Sequence, residues 1–184
     1  MNTKAQHIEK LSRRMALASL ICIIALPLAL AIVWTSNNPI LMEQIIGLDI
    51  QNINQQGATS GLSLIQRVLG FLASMLPVGM LMWGLWNLKQ LFSQYARLHL
   101  FNTATTTCLQ RFAKALIFIA PLDILSGALI SLITSFHNPA GQKALQISIG
   151  QPQLSTLFIG LVILAIARVL MVGQQLKEEN EQFV

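Results

Sequence analysis

Charge is what this chain has least of. Only 10% of its 184 residues are Asp, Glu, Lys or Arg, while 54% are apolar. A water-soluble domain of that size and composition would lack the polar surface needed to stay dissolved. Cysteine is nearly absent: Cys22 falls in an apolar run and Cys108 in a polar connection. A disulfide between them would need an oxidising compartment and a meeting at one depth, so two free thiols are expected. Neither has the neighbouring Cys, His or acidic side chains that a metal site or an activated nucleophile requires, so no metal and no cofactor are expected. Paired carboxylates or a Ser/His arrangement facing the membrane surface are missing too. That places an enzyme acting on lipid last among the readings and makes a non-enzymatic protein the expectation.

What the chain does have is four long apolar runs, at residues 15–34, 68–88, 115–136 and 154–176. At a rise of ~1.5 Å per residue, each reaches roughly the 30 Å of a hydrocarbon core. The first two are uncharged; the third contains Asp123 and the fourth Arg168. The expected fold is all-α: a four-transmembrane-helix bundle forming one integral membrane domain over residues 1–184. Lys and Arg in short loops stay on the cytoplasmic side, whereas acids contribute little. The N-terminal arm carries Lys4, Lys10, Arg13 and Arg14, and the connection 89–114 carries Lys89, Arg97, Arg111 and Lys114 with no acid. Loop 35–67 has Arg67 beside Glu43 and Asp49, and loop 137–153 has only Lys143. Both termini are therefore expected in the cytoplasm. Trp34, Trp83 and Trp86 are expected near span ends, at headgroup level. The net charge of +5 reads as topology and attraction to anionic lipid, and direct nucleic-acid binding is not expected.

The N-terminus admits a second reading. A basic arm, an apolar run and Ala29-Leu30-Ala31 after Pro27 also look like a secretory signal with its cleavage site. The run continues through Ile32, Val33 and Trp34, which suits a retained anchor better.

The connection keeps a helical period on both sides of a central break. Leu88, Leu91, Phe92 and Tyr95 form one stripe, and Leu109, Phe112 and Leu116 the other. Asn102 before Thr103 is placed to cap a helix start. Helix 2 should thus continue into the cytoplasm to about Arg97, and helix 3 should begin at about Thr103. In the plain reading the stripes pack on each other and the bases only hold topology. In the sharper one, Lys89, Arg97, Arg111 and Lys114 form a docking platform for a cytosolic protein or lipid headgroups. The acids Glu178, Glu179 and Glu181 would sit at the negative end of a continuing helix, which is unfavourable. Unless the helix has stopped, a nearby base is needed, so the tail is expected to fold toward these bases and join the platform, with a solvated tail as the alternative.

An ionised group inside the bilayer usually faces a partner or water. Asp123 and Arg168 lie at similar distances from the cytoplasmic ends of their runs and are expected to pair, clamping spans three and four. Snorkelling of Arg168 and an ion relay are the alternatives. Pro27, Pro77 and Pro121 fall inside spans as kinks serving packing or hinging. Gly70, Ser74, Gly79 and Gly84 offer close helix contact, and Met75, Met80 and Met82 are expected to be lipid-facing or core residues. Leu145 to Ile149 alternates like a strand, and Gly47 to Ile50 could pair with it as a small extracytoplasmic β-hairpin.

With these pieces placed, the chain resembles a family of bacterial four-helix membrane proteins, domain of unknown function 2975. The resemblance is carried by Leu100 to Asn102 followed by Leu109-Gln110-Arg111-Phe112, and by Ala167-Arg168-Val169-Leu170 through Glu179-Asn180 to Val184. It extends over nearly the whole chain, with Leu98 standing where members often have glycine. The resemblance implies a multi-pass protein of the bacterial inner membrane with no established activity. It also implies a cytosolic helix-turn-helix transcription regulator as partner. Two functions follow as expectations: a regulatory or sensor module binding that regulator, or a small transporter in which a homo-oligomer lines a polar path through Asp123.

Overall fold

The computed structural model describes residues 3–36, 63–96, 103–135 and 149–182, with side chains from residue 9 to residue 176 of that set. Among them are four α-helices and no strand: α1 Thr3–Ser36, α2 Leu64–Ala96, α3 Thr103–Ser135 and α4 Gln151–Gln182. Each is long and apolar enough to cross a membrane. The end of α2 and the start of α3 fall where the two stripes placed them. The helices stay continuous through Pro27, Pro77 and Pro121. Residues 47–50, 145–148, Arg97, Leu98 and Asn102 lie outside the described residues, as do the side chains of Glu178, Glu179 and Glu181.

At the C-terminus the acidic stretch continues α4 to Gln182. An exposed charge at a helix end is worth only ~0.3–1 kcal/mol. Glu, Gln and Lys are strong helix formers, so propensity carries the helix through.

The distribution of residue sizes is inverted relative to a water-soluble protein. Buried positions are mostly small or hydroxylated, among them Ser12 and Ser19 on α1, Ala73 and Ser74 on α2, and Ala113 and Ser131 on α3. Large aliphatic and aromatic side chains such as Ile21, Leu28, Ile65, Phe158 and Val169 point outward. Where lipid replaces water, helices gain no hydrophobic attraction for one another and associate through close backbone approach. Several interior hydroxyls are satisfied by their own helices: Ser19 donates to the Met15 carbonyl, Ser74 to Gly70 and Thr134 to Ile130, each at 2.9 Å. Among the described residues, no buried side-chain N or O lacks a partner.

The chain divides into two compact units, each drawing on all four helices. The first comprises Met1–Ile24, Met80–Ile119 and Ser155–Val184, and the second Ala25–Gly79 and Ala120–Leu154. In the second, Leu30, Val33, Trp34, Ala73 and Ile130 form the core. Trp34 is 2% exposed, so it is a core residue and not the headgroup-level ring expected. Its indole lies flat against the position that lacks a side chain: a Cβ on Gly70 would stand 2.0 Å from the ring. Its Nε1–H donates to Ser74 Oγ at 3.3 Å. Ser126 Oγ on α3 donates to the Ala73 carbonyl on α2 at 2.9 Å.

Two glutamines start helices in this unit by the same device. Ser63 N–H donates to Gln66 Oε1 at 2.9 Å and Gln66 N–H to Ser63 Oγ at 3.3 Å, the reciprocal capping box of a Ser-x-x-Gln sequence. The other end of the same amide donates to the Ile133 carbonyl on α3 at 3.1 Å. At α4, Gly150 N–H donates to Gln153 Oε1 at 3.0 Å, while Gln153 Nε2 donates to the Asp123 carboxylate on α3. Each glutamine satisfies one free amide of its own helix start and spends its NH2 group on α3.

In the first unit, glycine again sets the approach. A Cβ on Gly84 would meet Ala115 at 2.8 Å, and one on Gly160 would meet Ile117 at 2.9 Å. Gly70 and Gly84 thus make the close contacts expected of them, whereas Gly79 has nothing within 4 Å. Thr106 Oγ1 lies 2.9 Å from Gln174 Oε1, and Gln110 Nε2 donates to Met171 Sδ at 3.8 Å. Cys108 Sγ donates to Gln90 Oε1 at 3.8 Å, joining α3 to α2.

Candidate functional site

The chemistry of this molecule concentrates at the first unit, where its charged side chains gather. Lys10, Arg13 and Arg14 on α1, Lys89 on α2, and Arg111 and Lys114 on α3 all belong to it. Among the acids of this unit, Glu9 is the one whose side chain is described, and its Oε1 lies 2.9 Å from Arg13 one helical turn on. That pair is exposed and of the kind worth ~0–1 kcal/mol. Arg111 and Lys114 are exposed one turn apart, on the face that continues to the exposed Phe118 and Leu125. A guanidinium, an ammonium and then apolar surface is the order in which a helix side leaves water and enters lipid.

Of the expected docking set, the side chains of Lys89, Arg111 and Lys114 are among those described. Arg111 and Lys114 share the α3 face just described. Lys89 instead holds its Nζ 4.5 Å from the centroid of the Trp86 ring, a cation–π contact. Trp83 and Trp86 are exposed, as expected of interfacial rings. Phe92 and Tyr95, from the expected stripe on α2, meet edge to face with centroids 6.5 Å apart, and Leu91 beside them is buried.

The expected clamp between Asp123 and Arg168 is not formed. Asp123 lies in the second unit, where its carboxylate accepts from Gln153, and Arg168 lies exposed in the first. Register is the reason. With Gln174 at Thr106 and Met171 at Gln110, Arg168 falls beside the stretch of α3 around Ala113. Among the described residues, the ion pair within 4.0 Å is Glu9–Arg13. Cys22 is exposed and Cys108 buried, both as free thiols.

Two features escaped the reading of the residues, and both had a signal. Ser63-Leu64-Ile65-Gln66 is a legible capping box just ahead of an apolar run. Gly160, Ala167 and Gln174 recur every seven residues on α4, facing Thr106 and Ala113, which are spaced alike on α3. That period keeps one narrow line of a helix against its neighbour.

No curated protein and no solved structure matches the chain. A family model does, over residues 55–184, so the likeness is carried by α2, α3 and α4, with α1 ahead of the matched stretch. The length of that match settles membership: the chain belongs to the family described as "Protein of unknown function (DUF2975)".

Proposed function

We propose that this protein is a non-enzymatic regulatory module of the bacterial inner membrane, with both termini cytoplasmic. In this reading it holds a soluble partner against the α3 face that carries Arg111 and Lys114. The family resemblance points to a helix-turn-helix transcription regulator as that partner, bound through an acidic part of its surface. The observation that carries the reading is the set of exposed cations in the first unit, Lys10, Arg14, Arg111 and Lys114, among side chains whose described acid, Glu9, is occupied by Arg13. Charge of one sign at a membrane surface steers an oppositely charged partner and sets its orientation. Acidic residues 178, 179 and 181, on the last turns of α4, complete the surface in this reading. The transport alternative rests on Asp123, whose carboxylate is engaged by Gln153.

Co-expression of the tagged full chain with a candidate helix-turn-helix regulator from the same bacterium, followed by purification in mild detergent, tests the proposal. The regulator should co-purify with the wild-type chain and be lost from an Arg111→Gln/Lys114→Gln variant. A regulator that stays soluble and unbound beside the wild-type chain refutes it.

A further inference from the structure

We propose that the groove between α1 and α2 in the first unit is a binding site for one anionic phospholipid of the leaflet facing the N-terminus. Arg13 and Lys89 would hold its phosphate. The groove has a volume of about 390 Å³ and opens to the outside. Arg13, Lys89 and Ser93 supply its polar wall, and Ala16, Leu17 and Leu20 its apolar floor. The size is that of small-ligand sites in general.

Its chemistry is that of a phosphodiester carrying a hydrocarbon chain. Arg13 stands two residues before the apolar run of α1, and Lys89 immediately after that of α2. Both cations therefore sit where a span ends, at the depth of lipid phosphates. Arg13 pairs with Glu9 through one nitrogen at 2.9 Å, and a guanidinium has five N–H donors to share. The Trp86 ring steadies Lys89, and the Ser93 hydroxyl can donate to a phosphate or glycerol oxygen. The floor decides between ligands. Ala16, Leu17 and Leu20 follow one side of α1 into its apolar run, where an acyl chain is available and a soluble anion or acidic peptide is not. Basic pockets between membrane helices bind acidic headgroups in this way. The site is independent of the proposed regulator surface, which uses Arg111 and Lys114.

The test is native mass spectrometry of the purified full-length chain, given equal amounts of phosphatidylglycerol and phosphatidylcholine in neutral detergent. The wild-type chain should retain one phosphatidylglycerol in preference to phosphatidylcholine. Each neutralised cation, Arg13→Gln or Lys89→Gln, should lower that retention roughly fivefold. Leu17→Trp fills the groove while keeping both charges, and should abolish the preference. Arg111→Gln/Lys114→Gln should leave it unchanged. Equal retention of the two lipids by the wild-type chain overturns the proposal. So does undiminished retention by Leu17→Trp, or a loss in Arg111→Gln/Lys114→Gln as large as that in the groove variants, which would mean diffuse attraction and no site.

Discussion

Substituting Gly70 by alanine should be one of the more damaging single-methyl changes in this protein, and the reason is Trp34. The added Cβ would lie 2.0, 2.4 and 2.6 Å from three ring carbons. An indole is rigid, and this one is almost wholly enclosed, so it cannot swing its far edge aside as a flexible chain would. Overpacking of this kind costs ~1–3 kcal/mol. Displacing the ring also strains the hydrogen bond to Ser74, worth ~0.5–1.5 kcal/mol. Against these stands the helix-propensity gain of ~1 kcal/mol for alanine over glycine. The net expectation for Gly70→Ala is a destabilisation of roughly 1–3 kcal/mol. Gly79, on the same helix, has nothing within 4 Å of its would-be Cβ. Gly79→Ala should therefore be neutral or stabilising by up to ~1 kcal/mol. Both are measured by denaturing-detergent titration in a Trp83→Phe/Trp86→Phe background, which leaves Trp34 as the fluorescent reporter. Adding Trp34→Leu, with unfolding then followed by circular dichroism because no tryptophan remains, should erase most of the difference between the two variants, since the coupling lies in that contact. Equal midpoints for Gly70→Ala and Gly79→Ala would refute the packing account.

The same logic applies to α4. Gly160→Ala brings a methyl to within 3.0 Å of the Ile117 backbone nitrogen and should destabilise by ~1–3 kcal/mol, whereas Gly173→Ala, with open space around it, should not; thermal scans in detergent compare them. Asp123→Asn keeps an acceptor for Gln153 and should fold normally. Asp123→Leu leaves that amide without its partner and should lose ~1–3 kcal/mol; equal stability of the two would mean that the Gln153 contact contributes nothing. Cys22 is exposed only on a membrane-spanning run, and Cys108 is buried. A charged, membrane-impermeant maleimide should therefore label neither in intact membranes and both after denaturation, and rapid labelling of Cys22 in membranes would remove the first span from the bilayer.

The helices were legible because a span announces itself by length and lack of charge, and no competing structure satisfies the backbone in lipid. The break between Ala96 and Thr103 was legible because the apolar stripes stop on either side of it. Partner choice was not. Depths for Asp123 and Arg168 were counted from the ends of apolar runs, but the pairing of α3 with α4 is set by contacts such as Gly160 on Ile117 and Gln174 near Thr106. These shift the two charges to different levels. Trp34 was misplaced for a related reason. A tryptophan near a span end suits the interface by default, and only the facing Gly70 makes an interior position for it. Of the candidate site, the basic surplus was plain from the count. Where Lys89 turns, toward the Trp86 ring and the groove beside α1, is not contained in a residue list.

The paired use of Gln66 and Gln153 has a consequence for how the chain is made. A ribosome releases α2 before α3 exists, so Gln66 can cap its own helix at once but reaches the Ile133 carbonyl only after α3 has emerged. For Gln153 the order reverses, because α3 is already in place when α4 emerges. The last helix thus docks onto a finished template, while the second is held in suspense until its successor arrives. A truncation before Ile133 would remove the α3 carbonyl that Gln66 binds, and with it the tie between the start of α2 and the end of α3.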